Sequence, residues 1–266
     1  MSILNFKKYP KNTLGRDFCV GDIHGAFDSV ITRMKQVHFN KETDRLFSLG
    51  DLIDRGPQSS RVVDFLEKPY VHAVRGNHDD MFAGLSLIEI RALGRMNWNG
   101  MGWVNKESNE TLLKIQQALS KLPIAMEVET DRGSVGLVHA DVPKGLEWGD
   151  FVMLLGIGDG EVINTALWSR ERVETGDDSG VVGIDRLFVG HSIQWSGPTR
   201  LGNVYHIDSG AIFRELGDDR GFLNMANLMC QSIALAPVDQ PSQIGVYAEP
   251  GTGPFGNYAK AVFLAD

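Results

Sequence analysis

Short apolar runs alternate with helical periodicity through the first hundred residues, and each run ends on a glycine followed by a polar residue. Phe18–Val20 reads as a buried strand running into Gly21-Asp22-Ile23-His24-Gly25. Behind it Phe27, Val30, Ile31, Met34 and Val37 recur at helical spacing and predict a helix with one apolar face. Leu46–Leu49 is the next strand, entering Gly50-Asp51-Leu52-Ile53-Asp54-Arg55-Gly56-Pro57, with Ser59 as the predicted N-cap of a helix carrying Val62, Val63 and Leu66. Val71–Val74 is the third, entering Arg75-Gly76-Asn77-His78-Asp79 and a helical stretch to about Met96. The polar residues at 22, 51 and 77 are spaced close to the ~30 residues of one strand–helix–strand unit. Right-handed crossovers would bring all three loops to the carboxyl edge of one sheet, where open α/β folds bind ligands.

The remainder reads as richer in strands. A loop Asn97–Trp103 precedes a helix around Glu110–Leu119, which Pro123 stops. Ile124–Glu129 alternates like a half-buried strand, and Asp131-Arg132-Gly133 reads as a hairpin turn into Ser134–His139. Further strands are predicted at Leu187–Val189, Val204–Ile207, Leu223–Leu228 and Gln231–Ala236. From about Pro237 the chain turns rich in glycine, proline and serine, so the organisation expected is one domain over residues 1–236 followed by a tail over 237–266.

Composition narrows the class without naming a chemistry. The 266 residues carry 26 Lys+Arg against 34 Asp+Glu, a net charge of −8, which disfavours nucleic acid as a partner because that binding depends on clustered cations. No stretch approaches the ~18 apolar residues of a membrane span, and the N-terminus lacks the apolar core of a secretory signal. Two cysteines, Cys19 and Cys230, are too few for a disulfide framework. They are expected to be buried reduced thiols in a cytoplasmic protein. Nothing in the sequence assigns an oligomeric state.

Chemistry enters through five loops that place a metal-type ligand where a strand stops: Asp22 with His24, Asp51, Asn77, His139 in Val138-His-Ala-Asp141, and His191 in Val189-Gly-His191. A glycine directly precedes the first ligand in four of the five, giving the backbone freedom to turn and a metal or phosphate room to approach. Two carboxylates, one amide oxygen and three imidazoles suit Mn²⁺, Fe or Zn²⁺ and are too rich in nitrogen for a dedicated Ca²⁺ or Mg²⁺ cage. Six ligands exceed the needs of one tetrahedral ion. The expected assignment is Asp22, His24 and Asp51 to one ion, and Asp51, Asn77, His139 and His191 to the other. Two ions ~3.5–4 Å apart would hold a hydroxide between them and clamp a phosphoryl oxygen for in-line displacement.

A lone buried histidine is more often a core residue, and a single Gly-Asp pair is usually a turn. The joint order decides. Gly21-Asp-Ile-His-Gly25, Gly50-Asp-Leu-Ile-Asp-Arg-Gly56, Arg75-Gly-Asn-His-Asp79, Val138-His-Ala-Asp141 and Gly190-His191 resemble the motifs of the phosphoprotein-phosphatase branch of the calcineurin-like metallophosphoesterases. Within that branch the chain is most similar to the small Ser/Thr protein phosphatases of bacteria and bacteriophage lambda, through Asn97–Trp103, Leu167–Arg172 and Tyr205–Phe213. The resemblance covers about residues 15–230. It implies an α/β fold, a sandwich of two mixed β-sheets flanked by helices, with a dinuclear site at one edge. Asp79 stands where many members carry Glu, which keeps the charge.

The resemblance agrees with roles that the chemistry suggests. The planar fork of Arg55, four residues beyond Asp51, suits bidentate contact with phosphate, and Arg170 matches the family's second phosphate-binding arginine, although Arg172 is a near neighbour. His78 follows the ligand Asn77 and so should point towards the leaving group as general acid, with Asp54 orienting its ring. Function is thus expected to be removal of phosphate from phosphoserine or phosphothreonine proteins, with phosphotyrosine as a further substrate, by direct attack of hydroxide and without a Cys nucleophile. The alternative keeps the machinery and changes the substrate to diadenosine polyphosphates, while a non-catalytic metal-binding adaptor would lack one of these residues. Trp98 and Trp103 are expected either to rim the substrate groove or to pack. His38, His72 and His206 should pack or face solvent, and Asp28, Asp44 and Asp64 should lie on the surface.

Overall fold

The computed structural model describes residues 5–229. Cys230, the strand expected at 231–236 and the tail expected from 237 lie outside these residues. Among the described residues ten strands form two mixed sheets. The smaller contains β2 (Asp17–Val20), β3 (Arg45–Ser48) and β4 (Val71–Ala73) in parallel, with β10 (Met225–Asn227) antiparallel beside β2. The larger runs β1 (Phe6–Tyr9), β5 (Ala125–Thr130), β6 (Gly133–Val138), β7 (Arg186–Val189), β9 (Val204–His206) and β8 (Thr199–Leu201), with β6, β7 and β9 mutually parallel.

Strand periodicity explains the layering. Each strand turns successive side chains to opposite faces, and here both faces are covered. Phe18 and Val20 of β2 point into one cluster with α1 (Phe27–Gln36) and α5 (Asn109–Leu119), whereas Cys19 between them points into the layer shared by the two sheets. Likewise Phe188 of β7 enters that shared layer, while Leu187 and Val189 meet α6 (Trp148–Ile157) and α7 (Gly160–Trp168). The result is helices, sheet, sheet, helices. The ends of β2, β3 and β4 from one sheet and of β6, β7 and β9 from the other converge at one edge, carrying residues 22–24, 51, 77–78, 139, 191 and 208 with them.

Several sequence expectations are corrected. Ile31 of α1 is 41% exposed, so the apolar stripe is wider than the core uses. Ser59 opens a short 3₁₀ turn before α2 (Val62–Leu66) and donates its hydroxyl to the Gly56 carbonyl instead of capping. The stretch to Met96 is two helices, α3 (Asn77–Gly84) and α4 (Leu87–Arg95), because Ser86 accepts from the Glu89 amide and starts the second. The strand-rich remainder in fact holds α6, α7 and α8 (Glu171–Thr175). Asp44 is buried, accepting from the backbone and guanidinium of Arg16. Among the described residues no single helix is long and apolar enough to cross a membrane.

Candidate active site

The glycines before Asp51 and Asn77 serve the loops more than a ligand. A Cβ on Gly50 (φ +92°) would lie 2.5 Å from the Gly76 nitrogen, and one on Gly76 would lie 2.2 Å from the Asp51 nitrogen. The two loops therefore meet backbone to backbone. Asp79 ties them further, accepting from the Gly76 amide at 2.9 Å and the Leu52 amide at 3.0 Å. Burial, and then the charge of Asp51, push its carboxyl up to about 7.

Each expected imidazole ligand spends one nitrogen on a backbone carbonyl. His24 Nδ1 donates to Ile53, His139 Nδ1 to Leu49 and His191 Nε2 to Trp168, at 2.8, 2.7 and 3.2 Å. A neutral ring has one N–H, so His24 Nε2, His139 Nε2 and His191 Nδ1 keep free lone pairs. Burial lowers the pKa of all three rings and keeps them neutral, with His191 pushed down to about 3. His139 Nε2 and His191 Nδ1 then stand 3.2 Å apart, and Asn77 Oδ1 lies 2.8 Å from His139 Nε2. Three acceptors this close have no proton to share, and a cation among them removes the conflict. His24 Nε2 is buried with no hydrogen-bond partner at all.

Asp51 faces both sides. Its Oδ2 lies 3.4 Å from His24 Nε2 and its Oδ1 lies 3.5 Å from His139 Nε2. Burial pushes this carboxyl upward, but the positive charge that the facing imidazoles, His139 foremost, would carry if protonated pulls it down by more, so its pKa is lowered. Two groups of potential ligand atoms share it, His24–Asp51–His78 and Asp51–His139–His191, each with its atoms within 4.8 Å of one another. Asp22 belongs to neither triplet. Its carboxylate accepts the His191 amide at 3.0 and 3.2 Å, and burial, then the nearby charges of Asp208 and Asp51, push its pKa well up. Crowded buried carboxylates and hydrogen-free imidazole nitrogens are a donor set that fits divalent cations.

Beside this set lie the groups expected to meet substrate. His78 Nδ1 donates to Asp54 Oδ2 at 2.9 Å, and Arg55 Nη2 donates to His78 Nε2 at 3.1 Å. These partners specify the neutral ring protonated at Nδ1. The pKa of His78 is nonetheless raised: burial lowers it, but Asp51 and Asp54 together prevail. Arg170 Nη1 donates to the His191 carbonyl at 2.9 Å, at the rim of the second triplet. Arg172 instead is buried against Asp141. All ten residues singled out in the sequence are therefore gathered at one strand edge, with Asp22 one step back from the triplets and His78 within one of them.

Backbone strain concentrates here. His24, Asp51, Asp54, Arg55 and His191 all have φ between +46° and +68°, a left-handed conformation that costs a non-glycine residue of order 1–3 kcal/mol. Two buried contacts have no counterpart among the sequence expectations. Asp208, at the end of β9, caps the Gly210 amide at 2.8 Å, and burial pushes it up to about 6. Trp103 donates its indole N–H to Asp54 Oδ1 at 2.8 Å, a third role beside the two considered for it. No sequence signal marks either contact.

Comparison with known proteins points the same way. The Calcineurin-like phosphoesterase family matches residues 18–198. Serine/threonine-protein phosphatase 1 of Salmonella typhimurium is 33% identical over 202 residues, covering 73% of this chain and 86% of the relative. The symmetrical bis(5'-nucleosyl)-tetraphosphatase of Salmonella arizonae is 41% identical over 75 residues, 26% of this chain and 27% of that protein. A solved serine/threonine phosphatase from Saccharomyces cerevisiae superposes with a TM-score of 0.54 at 15% identity, over 86% of this chain and 84% of its own, a likeness of fold.

Proposed function

The chain belongs to the calcineurin-like phosphoesterase family, and from that premise we propose that it is a dinuclear-metal phosphomonoesterase acting on phosphoserine and phosphothreonine proteins, with phosphotyrosine as a further substrate. The single observation that carries the reading is Asp51, whose two oxygens face separate imidazole groups, 3.4 Å from His24 and 3.5 Å from His139. His24, Asp51 and Asp22 would hold one cation, and Asp51, Asn77, His139 and His191 the other. Mn²⁺ is the metal proposed, with Fe or Zn compatible with the same ligands. When bound, such a pair supplies the hydroxide nucleophile and Lewis-acid charge.

The remaining steps fall to side chains. Arg55 and Arg170 would grip the phosphate oxygens, Arg55 leaving His78 Nε2 to do so. His78 would give a proton to the serine or threonine oxygen as its bond to phosphorus breaks, a step typically contributing ~10²–10⁴-fold. Asp54 accepts from Nδ1 and orients the ring. The cytoplasm is the compartment proposed, in keeping with the buried free thiol of Cys19.

Diadenosine polyphosphates are the second reading, supported by the tetraphosphatase relative. That match spans about a quarter of either chain, whereas the protein phosphatase match spans most of both. The test is a substrate panel after chelation, comparing a phosphoserine peptide, a phosphotyrosine peptide and diadenosine tetraphosphate, each with Mn²⁺, Zn²⁺ or Fe²⁺ added. Peptide turnover restored by Mn²⁺ is expected. Turnover of the dinucleotide alone would transfer the assignment to the second reading, and no turnover with any metal would remove both.

A further inference from the structure

Asp54 is fully buried and uses its two oxygens on two different rings. Oδ2 accepts from His78 and Oδ1 accepts from Trp103, at 2.9 and 2.8 Å. An indole N–H can only donate, so this contact favours the ionised carboxylate and decides which oxygen faces His78. Trp103 is held in turn. Its ring stacks on Phe82 at 5.5 Å and 22°, and Phe82 belongs to the same helix, α3, that begins with Asn77 and His78.

The segment carrying Trp103 also grips the neighbouring residue. Arg55 donates its backbone N–H to the Gly100 carbonyl at 3.0 Å. Gly100 has φ +80°, and a Cβ there would lie 2.5 Å from Arg55 Cα, so the approach requires glycine. Asp54 and Arg55 are consecutive non-glycine residues at φ +68° and +64°. Such a conformation persists only where surrounding contacts over-determine it. Here one loop supplies two of those contacts, to the side chain of Asp54 and to the backbone of Arg55, beside the one from His78.

We propose that Trp103 is a positioning residue for leaving-group protonation. Its indole locks Asp54, and Asp54 holds the His78 ring by Nδ1, so that once Arg55 turns to the phosphate and Nε2 takes up a proton from solvent, that proton passes to the ester oxygen as the phosphorus–oxygen bond breaks. The proposal rests on the acid role of His78 proposed above.

The test uses the full chain with Mn²⁺ and two substrates, a phosphoserine peptide, whose alkoxide must be protonated, and p-nitrophenyl phosphate, whose phenolate departs largely unaided. Trp103→Phe keeps the stacking and deletes the donor. It is expected to lower kcat on the peptide roughly 10-fold to 100-fold and on the aryl phosphate less than about threefold, with KM little changed. In an Asp54→Asn background the same change should have almost no further effect, since its route is already cut. Equal losses on both substrates, an undiminished peptide rate, or full additivity with Asp54→Asn would overturn the proposal. His78→Asn separates the two layers: equal losses there overturn the acid role itself, whereas discrimination by His78→Asn without discrimination by Trp103→Phe overturns the role of Trp103 alone. Should Trp103→Phe not fold, the Trp103 indole N–H resonance in Asp54→Asn must shift and exchange faster with water; an unmoved resonance overturns the link.

Discussion

Arg172 donates its Nε–H to Asp141 across 2.9 Å with both side chains buried, while Arg170, two residues earlier, donates to the carbonyl of His191. Burial raises the pKa of Asp141, and Arg172 is the largest influence opposing it. The last residue of the Val138-His-Ala-Asp141 motif thus anchors α8, and through it Arg170. Breaking a buried pair leaves a charge uncompensated. Arg172→Met should therefore destabilise the fold by about 3 kcal/mol, read as a lowered urea midpoint. Arg170→Met should leave that midpoint nearly unmoved and lower kcat/KM by about 10². The opposite pattern would exchange the two arginines.

Asp51 gives the sharpest test of the two-cation arrangement. Asp51→Asn keeps the shape and removes the charge and one acceptor, so turnover of an aryl phosphate should fall by a factor of about 10² or more with an unchanged circular dichroism spectrum. Near-normal turnover would defeat the assignment.

Metal binding should also appear in stability, independently of any substrate. The close acceptors His139 Nε2, His191 Nδ1 and Asn77 Oδ1 are relieved only in the folded state. Manganese at 100 times its dissociation constant should add about 2.7 kcal/mol, raising Tm by roughly 5–10 °C over the chelated protein in a calorimeter. His139→Gln should abolish most of that rise. An identical Tm with and without Mn²⁺ would contradict the site.

His206 supplies a pH dependence away from the proposed ligands. Its ring is buried on β9 with neither nitrogen hydrogen-bonded, and burial, aided by Arg172, pushes its pKa down to about 4. A depressed folded value means that the contribution is present above the unfolded pKa near 6.5 and lost as pH falls towards 4. Between pH 7.5 and 5 the metal-free chain should lose about 2 kcal/mol through this residue. His206→Phe should be at least as stable at pH 7.5, because an unpaired polar group is removed, and should lack that share of the decline. Parallel urea midpoints for both proteins across this range would show that His206 carries none of it.

Much of the strand edge could be read in advance because its signals are local. Glycine followed by a ligand at the end of a short apolar run combines strand periodicity with turn chemistry, and both act within a few residues. The helices around residues 148–175 were hidden for a related reason. Phe151–Leu155 is apolar on nearly every position, so no face stands out, and only packing of Trp148, Phe151 and Leu155 under the larger sheet selects a helix. Asp44 looked like a surface residue because its partner, Arg16, lies 28 positions away.

Order and spacing along the chain were enough to assign the α/β class and the family and to single out nine of the ten residues gathered at the edge, since those properties follow from short-range geometry and from which side chains can ligate or donate. Whether Arg170 or Arg172 reaches the site, which oxygen of Asp51 serves which imidazole, and that Trp103 grips Asp54 were settled by folding alone. These depend on side-chain directions between elements far apart along the chain, which no local pattern encodes.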